Sequence, residues 1–200
     1  MKKIFATLIA LSVSFALNSQ ALTVDLSPSA QQLQLGENLT LDVKVSGLTD
    51  ATAPSLGVYD VNLNFDATRL AISQIIWGDA VKGNQLDLNC FGSLQMSNPI
   101  NSGTLNLFEL SFDDVWSLDN LQAGSFNLFS IIFSSLAAGP AEFTLSVNAL
   151  GNAAGNSMSA DSLETSRVTI NTVSTPEPAA SFLFLIGLIA LGFTRVKTQE

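Results

Sequence analysis

The chain has no histidine and a single cysteine. The missing histidine excludes Ser-His-Asp and Cys-His catalysis and the usual His-rich zinc and iron sites. With Cys90 alone, no disulfide forms within the chain. Cys90 is left either to pair with another chain or to act as a small apolar residue beside Phe91, and burial is the expectation. Basic residues are equally scarce. Between Leu22 and Pro178 they are Lys44, Arg69, Lys82 and Arg167, whereas every one of the 17 acids except Glu200 lies there. Such an excess repels phosphates and argues against a nucleic-acid partner. It reads as a solvated exterior, with calcium ligation the sharper alternative. No G-x-G-x-x-G or Walker-type loop occurs, so no cofactor is expected.

Long apolar runs sit only at the two ends. Lys2 and Lys3 precede an apolar stretch from Ile4 to Leu17, and Ser19-Gln20-Ala21 offers a small-x-small cleavage site. Residues 1–21 therefore read as a signal peptide cut after Ala21, and no cysteine stands there to make a lipoprotein. At the other end, Thr175-Pro176-Glu177-Pro178 leads into the charge-free run Ala179 to Phe193, closed by Arg195 and Lys197. At 1.5 Å of rise per residue, residues 179–194 nearly span a bilayer core of about 30 Å, and the flanking Arg195 and Lys197 can snorkel. The cationic tail 195–200 stays cytoplasmic and the rest lies on the far side. Pro176 and Pro178 hold the linker 173–178 extended. A plain C-terminal anchor would share these features.

Pro176, Glu177 and Pro178, with the helix that follows at once, resemble the PEP-CTERM sorting signal of exopolysaccharide-producing Gram-negative bacteria. The resemblance implies export across the inner membrane and processing by exosortase, a transpeptidase-like membrane enzyme. Family tails end in a dense arginine cluster, whereas this one carries Arg195, Lys197 and Glu200.

Between the ends, residues 22–172 form one domain-sized stretch. Apolar residues alternate with polar ones at Leu39, Leu41, Val43 and Val45, at Tyr59, Val61, Leu63 and Phe65, and at Phe143, Leu145, Val147 and Ala149. Period two marks strands with one buried face. Leu105 and Leu107 begin another, but Phe108, Leu110 and Phe112 continue in the opposite phase, which predicts a β-bulge. Phe126, Leu128, Ile131 and Phe133 mark a more deeply buried strand, and Val168 and Ile170 a last short one. One short helical turn is expected within Asp113 to Leu121, and a loop over Gly151 to Asp161. Turn residues between the runs argue for an antiparallel sandwich.

The order of Val24-Asp-Leu-Ser-Pro28, Gly36-Glu37-Asn38, Tyr59-Asp-Val-Asn-Leu-Asn-Phe-Asp66 with Leu70, Leu128 to Phe133, and Ala138-Gly139 with Phe143 to Val147 resembles the cohesin-type fold. This is an all-β jelly-roll β-sandwich related to cellulose-binding modules. Classical cohesins bind dockerins; no dockerin-type calcium loop occurs in this chain.

Three groups are candidates for chemistry. Asp60, Asn62, Asn64 and Asp66 share one strand face. They can be solvated, bind sugar hydroxyls or lend oxygens to calcium, though a row spread over about 20 Å is too long for one ion. Asp113 and Asp114, with Asp119 beyond, could supply the carboxylate pair of a glycosidase; loop solvation or helix capping is the plainer reading. Trp116, Trp77 and Tyr59 can stack on sugar rings, with Asp114 nearby, or pack in the core. The combined expectation is an exported, non-catalytic structural or binding protein of the exopolysaccharide or biofilm matrix, held at the membrane or delivered to the cell surface. A polysaccharide or a surface protein would be its partner. A carbohydrate-binding module and a carboxylate-based glycosidase are the alternatives.

Overall fold

The computed structural model describes residues 22–163 and 165–172. The expected signal peptide ending at Ala21, the Pro176-Glu177-Pro178 motif, the apolar run 179–194 expected to cross the membrane and its flank Arg195 and Lys197 lie outside these residues. Among the described residues no helix is long and apolar enough to cross a membrane.

Among the described residues, twelve strands and one helix follow in order. They are β1 (Leu22–Pro28), β2 (Gln32–Gln34), β3 (Asn38–Ser46), β4 (Leu56–Phe65), β5 (Leu70–Trp77), β6 (Ser93–Asn101), β7 (Thr104–Ser111), α1 (Val115–Leu121), β8 (Phe126–Ser135), β9 (Gly139–Asn152), β10 (Ser157–Met158), β11 (Ala160–Leu163) and β12 (Thr165–Asn171). One sheet has the order β11-β1-β3-β8-β5; the other runs β2-β12-β9-β4-β7-β6, with β10 added beside β9. Strands distant in sequence become neighbours, so the fold is an all-β sandwich with crossed connections.

The alternating apolar residues fill the space between the sheets. Leu39, Leu41, Val43 and Val45 of β3 are fully buried, as are Tyr59, Val61 and Leu63 of β4. Phe133 of β8 meets Phe65 and Phe143 with ring centroids 5.2 Å apart in each pair. These tilted contacts join the two sheets across the core and suit the ring quadrupoles. The turn after β4 is fixed by Asp66, whose carboxylate accepts from the Thr68 hydroxyl at 2.6 Å and the Thr68 amide at 3.0 Å. Those bonds, the hydroxyl first, hold its pKa below the ordinary carboxylate value, with Arg69 adding to the effect;. Arg69 in turn donates to Asp66 and to the Ala138 carbonyl, tying this turn to the β8–β9 connection.

Two expectations are corrected. β7 contains no bulge: its pairing with β4 runs without a shift from Val58↔Leu110 to Asn64↔Thr104. The strand keeps one phase by turning Leu105, Leu107 and Glu109 inward and leaving Phe108 and Leu110 on the outer side. Apolar residues on the outer side, rather than a kink, account for the apparent phase switch. The expected loop over Gly151 to Asp161 is also shorter. β9 reaches Asn152, and a turn returns the chain as β10, paired Ser157↔Gly151 and Met158↔Leu150.

Candidate functional site

The outer face of β9-β4-β7-β6 is built by strand parity. Since successive side chains point to opposite faces, burying Tyr59, Val61 and Leu63 places Val58, Asp60, Asn62 and Asn64 outside. Their partners on β7 and β6 follow by register. Val58 lies opposite Leu110, and Leu110 opposite Leu94; Asp60 lies opposite Phe108, and Phe108 opposite Met96; Asn62 lies opposite Asn106, and Asn106 opposite Asn98.

This face has two halves. In the polar half, Asn106 Nδ2 donates to Asp60 Oδ1 at 2.6 Å and to Asn62 Oδ1 at 2.9 Å. Asn148 Nδ2 donates to Asp60 Oδ1 at 2.9 Å, and its own Oδ1 accepts from Asn62 at 3.1 Å. Asn64 accepts from Thr104 and donates to Thr144. The row Asp60, Asn62 and Asn64 thus becomes a cross-strand ladder of amides around one carboxylate. Asp66 falls past the strand end and is spent on the Thr68 turn. Among the described residues no three His, Cys, Asp or Glu side chains come together as metal ligands.

The other half is apolar. Leu94 is 42% exposed, Met96 43% and Leu110 37%. Helix α1 borders this end of the sheet, because Leu118 shares a small recess of about 130 Å³ with Val58, Leu110 and Asp113. Trp116 on α1 is 67% exposed, and Phe112 and Val115 are exposed beside it in sequence. Asp114 caps α1 by accepting from the Ser117 amide at 2.9 Å and its hydroxyl at 3.0 Å. These bonds, the amide first, lower its pKa. Asp113 is buried with its Oδ2 held by the Leu88 amide at 2.5 Å. Its Oδ1 is buried and accepts no hydrogen bond among the described residues. The neighbouring pair Asp113–Asp114 is therefore committed to a loop and a helix cap.

The three aromatic candidates separate. Tyr59 is fully buried and cannot stack on a sugar, which corrects that expectation; its ring packs near Phe129. Trp77 is half-buried on β5, in the opposite sheet, edge-on to Phe129 at 6.2 Å. Trp116 alone of the three presents an open ring. Cys90 corrects a further expectation: it is exposed, in left-handed backbone with φ 58°, at the turn before β6.

Glu109 was missed by sequence reasoning. It is fully buried. Its Oε1 accepts from Asn84 at 2.6 Å, Ser93 at 2.6 Å and Gln95 at 2.9 Å, and its Oε2 from Tyr59 at 2.9 Å. Four neutral donors thus hold a buried carboxylate that anchors β6 and the loop before it. Burial chiefly, and then the adjoining Glu109, raises the Tyr59 pKa well above its ordinary value;. An unbroken period-two reading of β7 would have pointed Glu109 inward.

The fold is an all-β sandwich similar to that of cohesin modules. A type II cohesin domain from the cellulosome of Acetivibrio cellulolyticus superposes with a TM-score of 0.60 at 13% identity, covering 74% of this chain and 95% of that one. The Coh-OlpA-Doc918 cohesin–dockerin complex from Clostridium thermocellum gives 0.59 at 13% identity, covering 76% and 99%. A non-cellulosomal cohesin from the archaeon Archaeoglobus fulgidus gives 0.53 at 16%, covering 80% and 97%. No protein-family model matches the chain, and no curated protein matches it by sequence.

Proposed function

We propose that the chain is a non-catalytic, exported binding module that captures a protein partner on the outer face of β9-β4-β7-β6. The observation that carries this reading is the division of that face into an amide ladder and an adjoining apolar half of Leu94, Met96, Phe108 and Leu110. Interfaces of moderate size combine an apolar centre with satisfied polar groups at its margin. The similarity to cohesins supports the reading, since the Clostridium thermocellum cohesin is seen in complex with a dockerin. The carboxylates near α1 are occupied by capping and loop bonds, which speaks against a glycosidase.

In this reading the ends supply the address. Ala21 marks the export cut, Pro176-Glu177-Pro178 the exosortase motif, and Arg195 with Lys197 the cytoplasmic flank of a membrane anchor. The module would then work at the surface or in the exopolysaccharide or biofilm matrix of a Gram-negative cell. A carbohydrate-binding role is a second reading, favoured by the open ring of Trp116.

Affinity capture from the extracellular fraction of the source cells tests the first reading, with purified polysaccharides run in parallel. Phe108→Glu should weaken protein capture at least tenfold, equivalent to about 1.4 kcal/mol. Lys44→Glu on the opposite sheet should leave it unchanged. Equal loss in both variants, or none in either, rejects the face. Polysaccharide retention that disappears with Trp116→Ala supports the second reading instead.

A further inference from the structure

From Leu88 to Phe108 the sequence contains no Asp, Glu, Lys or Arg. That stretch holds β6, the hairpin and most of β7. β6 is the last strand of its sheet and pairs with β7 alone among the described residues. From Leu94 to Asn101 each of its residues is exposed. In an antiparallel pair alternate residues direct their N–H and C=O groups away from the partner, so β6 offers an unpaired hydrogen-bonding edge. Natural edges are usually blunted by charge, proline, a bulge or shortness. Here Pro99 and the register shift between Pro99 and Asn101 protect only the far end. Ser93 to Asn98 stays uncharged and straight, and it carries the exposed Leu94 and Met96.

We infer that this edge pairs with the same edge of a second copy of the chain, antiparallel about a two-fold axis. Charge selects this occupant. The chain has a formal net charge of −9, so copies repel one another over most of their surface;. They meet with least repulsion along the uncharged strip. A two-fold contact is self-complementary, so each favourable pair occurs twice. Centred on Gln95, the pairing sets Gln95 against Gln95, Leu94 against Met96 and Ser93 against Ser97 of the second copy, so that opposed side chains share a face;. No like charges face one another. The two sheets become continuous, and the two outer faces lie side by side, which makes the assembly bivalent. A contact this short belongs with weak, concentration-dependent interfaces, with Kd on the order of tens of micromolar.

The chain's single cysteine supplies the test, because Cys90 is exposed and lies just before β6. The full chain, spin-labelled at Cys90, is examined by sedimentation equilibrium in density-matched detergent and by pulsed electron–electron distance measurement. A closed dimer with labels roughly 30–40 Å apart is expected, from a strand rise of about 3.4 Å per residue. Ser97→Lys and, independently, Met96→Lys should each raise the dimer Kd at least tenfold, with the far-ultraviolet spectrum retained. Ser97 lies off the outer face, so its variant keeps the partner-capture assay as a separate readout. A monomer at all concentrations up to hundreds of micromolar, a label distance under about 20 Å, open-ended aggregates, or a dimer indifferent to both lysines would overturn the inference.

Discussion

Tyr59 Oη donates a 2.9 Å hydrogen bond to Glu109 Oε2, and both residues are fully buried. β4 contributes the tyrosine and its neighbour β7 the glutamate, so the bond lies beneath the candidate binding face. Tyr59→Phe removes one of four donors from a buried carboxylate and should lower stability by about 1–3 kcal/mol in urea unfolding. The chain has one tyrosine, so an ultraviolet titration reads Tyr59 alone. Its folded pKa is raised above the unfolded value of about 10;. The sign follows directly: its contribution is complete below about pH 10 and is lost as pH rises through the folded value. Ionisation should therefore coincide with alkaline unfolding. Titration of the folded protein at the ordinary tyrosine value would contradict the buried pair.

Gln122 closes α1 and is buried against the start of β4. Its Oε1 accepts from the Leu56 amide at 2.6 Å, and its Nε2 donates to the carbonyls of Leu56 at 2.8 Å and Gln85 at 2.9 Å. Gln122→Leu keeps the volume but strands three backbone groups. With about 1–3 kcal/mol for each unsatisfied buried group, the expected loss is about 3 kcal/mol or more. The urea midpoint reports it, and a shift below 1 kcal/mol would show that the bridge contributes little.

Cys90 should react stoichiometrically with a thiol reagent in the native protein, at a rate close to that of the unfolded chain. Its exposure requires this. Slow reaction that accelerates only on unfolding would mean that the thiol is covered.

Much of the fold is legible along the chain because period two follows directly from the pleat. β3 occupies Asn38–Ser46, the same span that the alternation of Leu39, Leu41, Val43 and Val45 marks. The short helix near Asp114 is equally readable, since an Asp three residues before Ser117 is a capping signal. β6 is not legible: it is exposed along nearly its whole length, so no burial constraint imprints an alternation. Glu109 is hidden for the opposite reason. A glutamate in a strand normally signals the wet side, and only Asn84 from a loop, Ser93 and Gln95 from β6 and Tyr59 from β4, arriving from three other places, make its burial tolerable;.

A strand-built, acidic, histidine-free domain is readable along the chain, because composition and alternation act locally and need no partner;. Which strands lie side by side was decided only in three dimensions. That arrangement placed Asn106 and Asn148 around Asp60, turned Phe108 and Leu110 outward, buried Tyr59 on Glu109 and left the edge of β6 open. Each of these depends on register between segments dozens of residues apart, and register is set by the shared core.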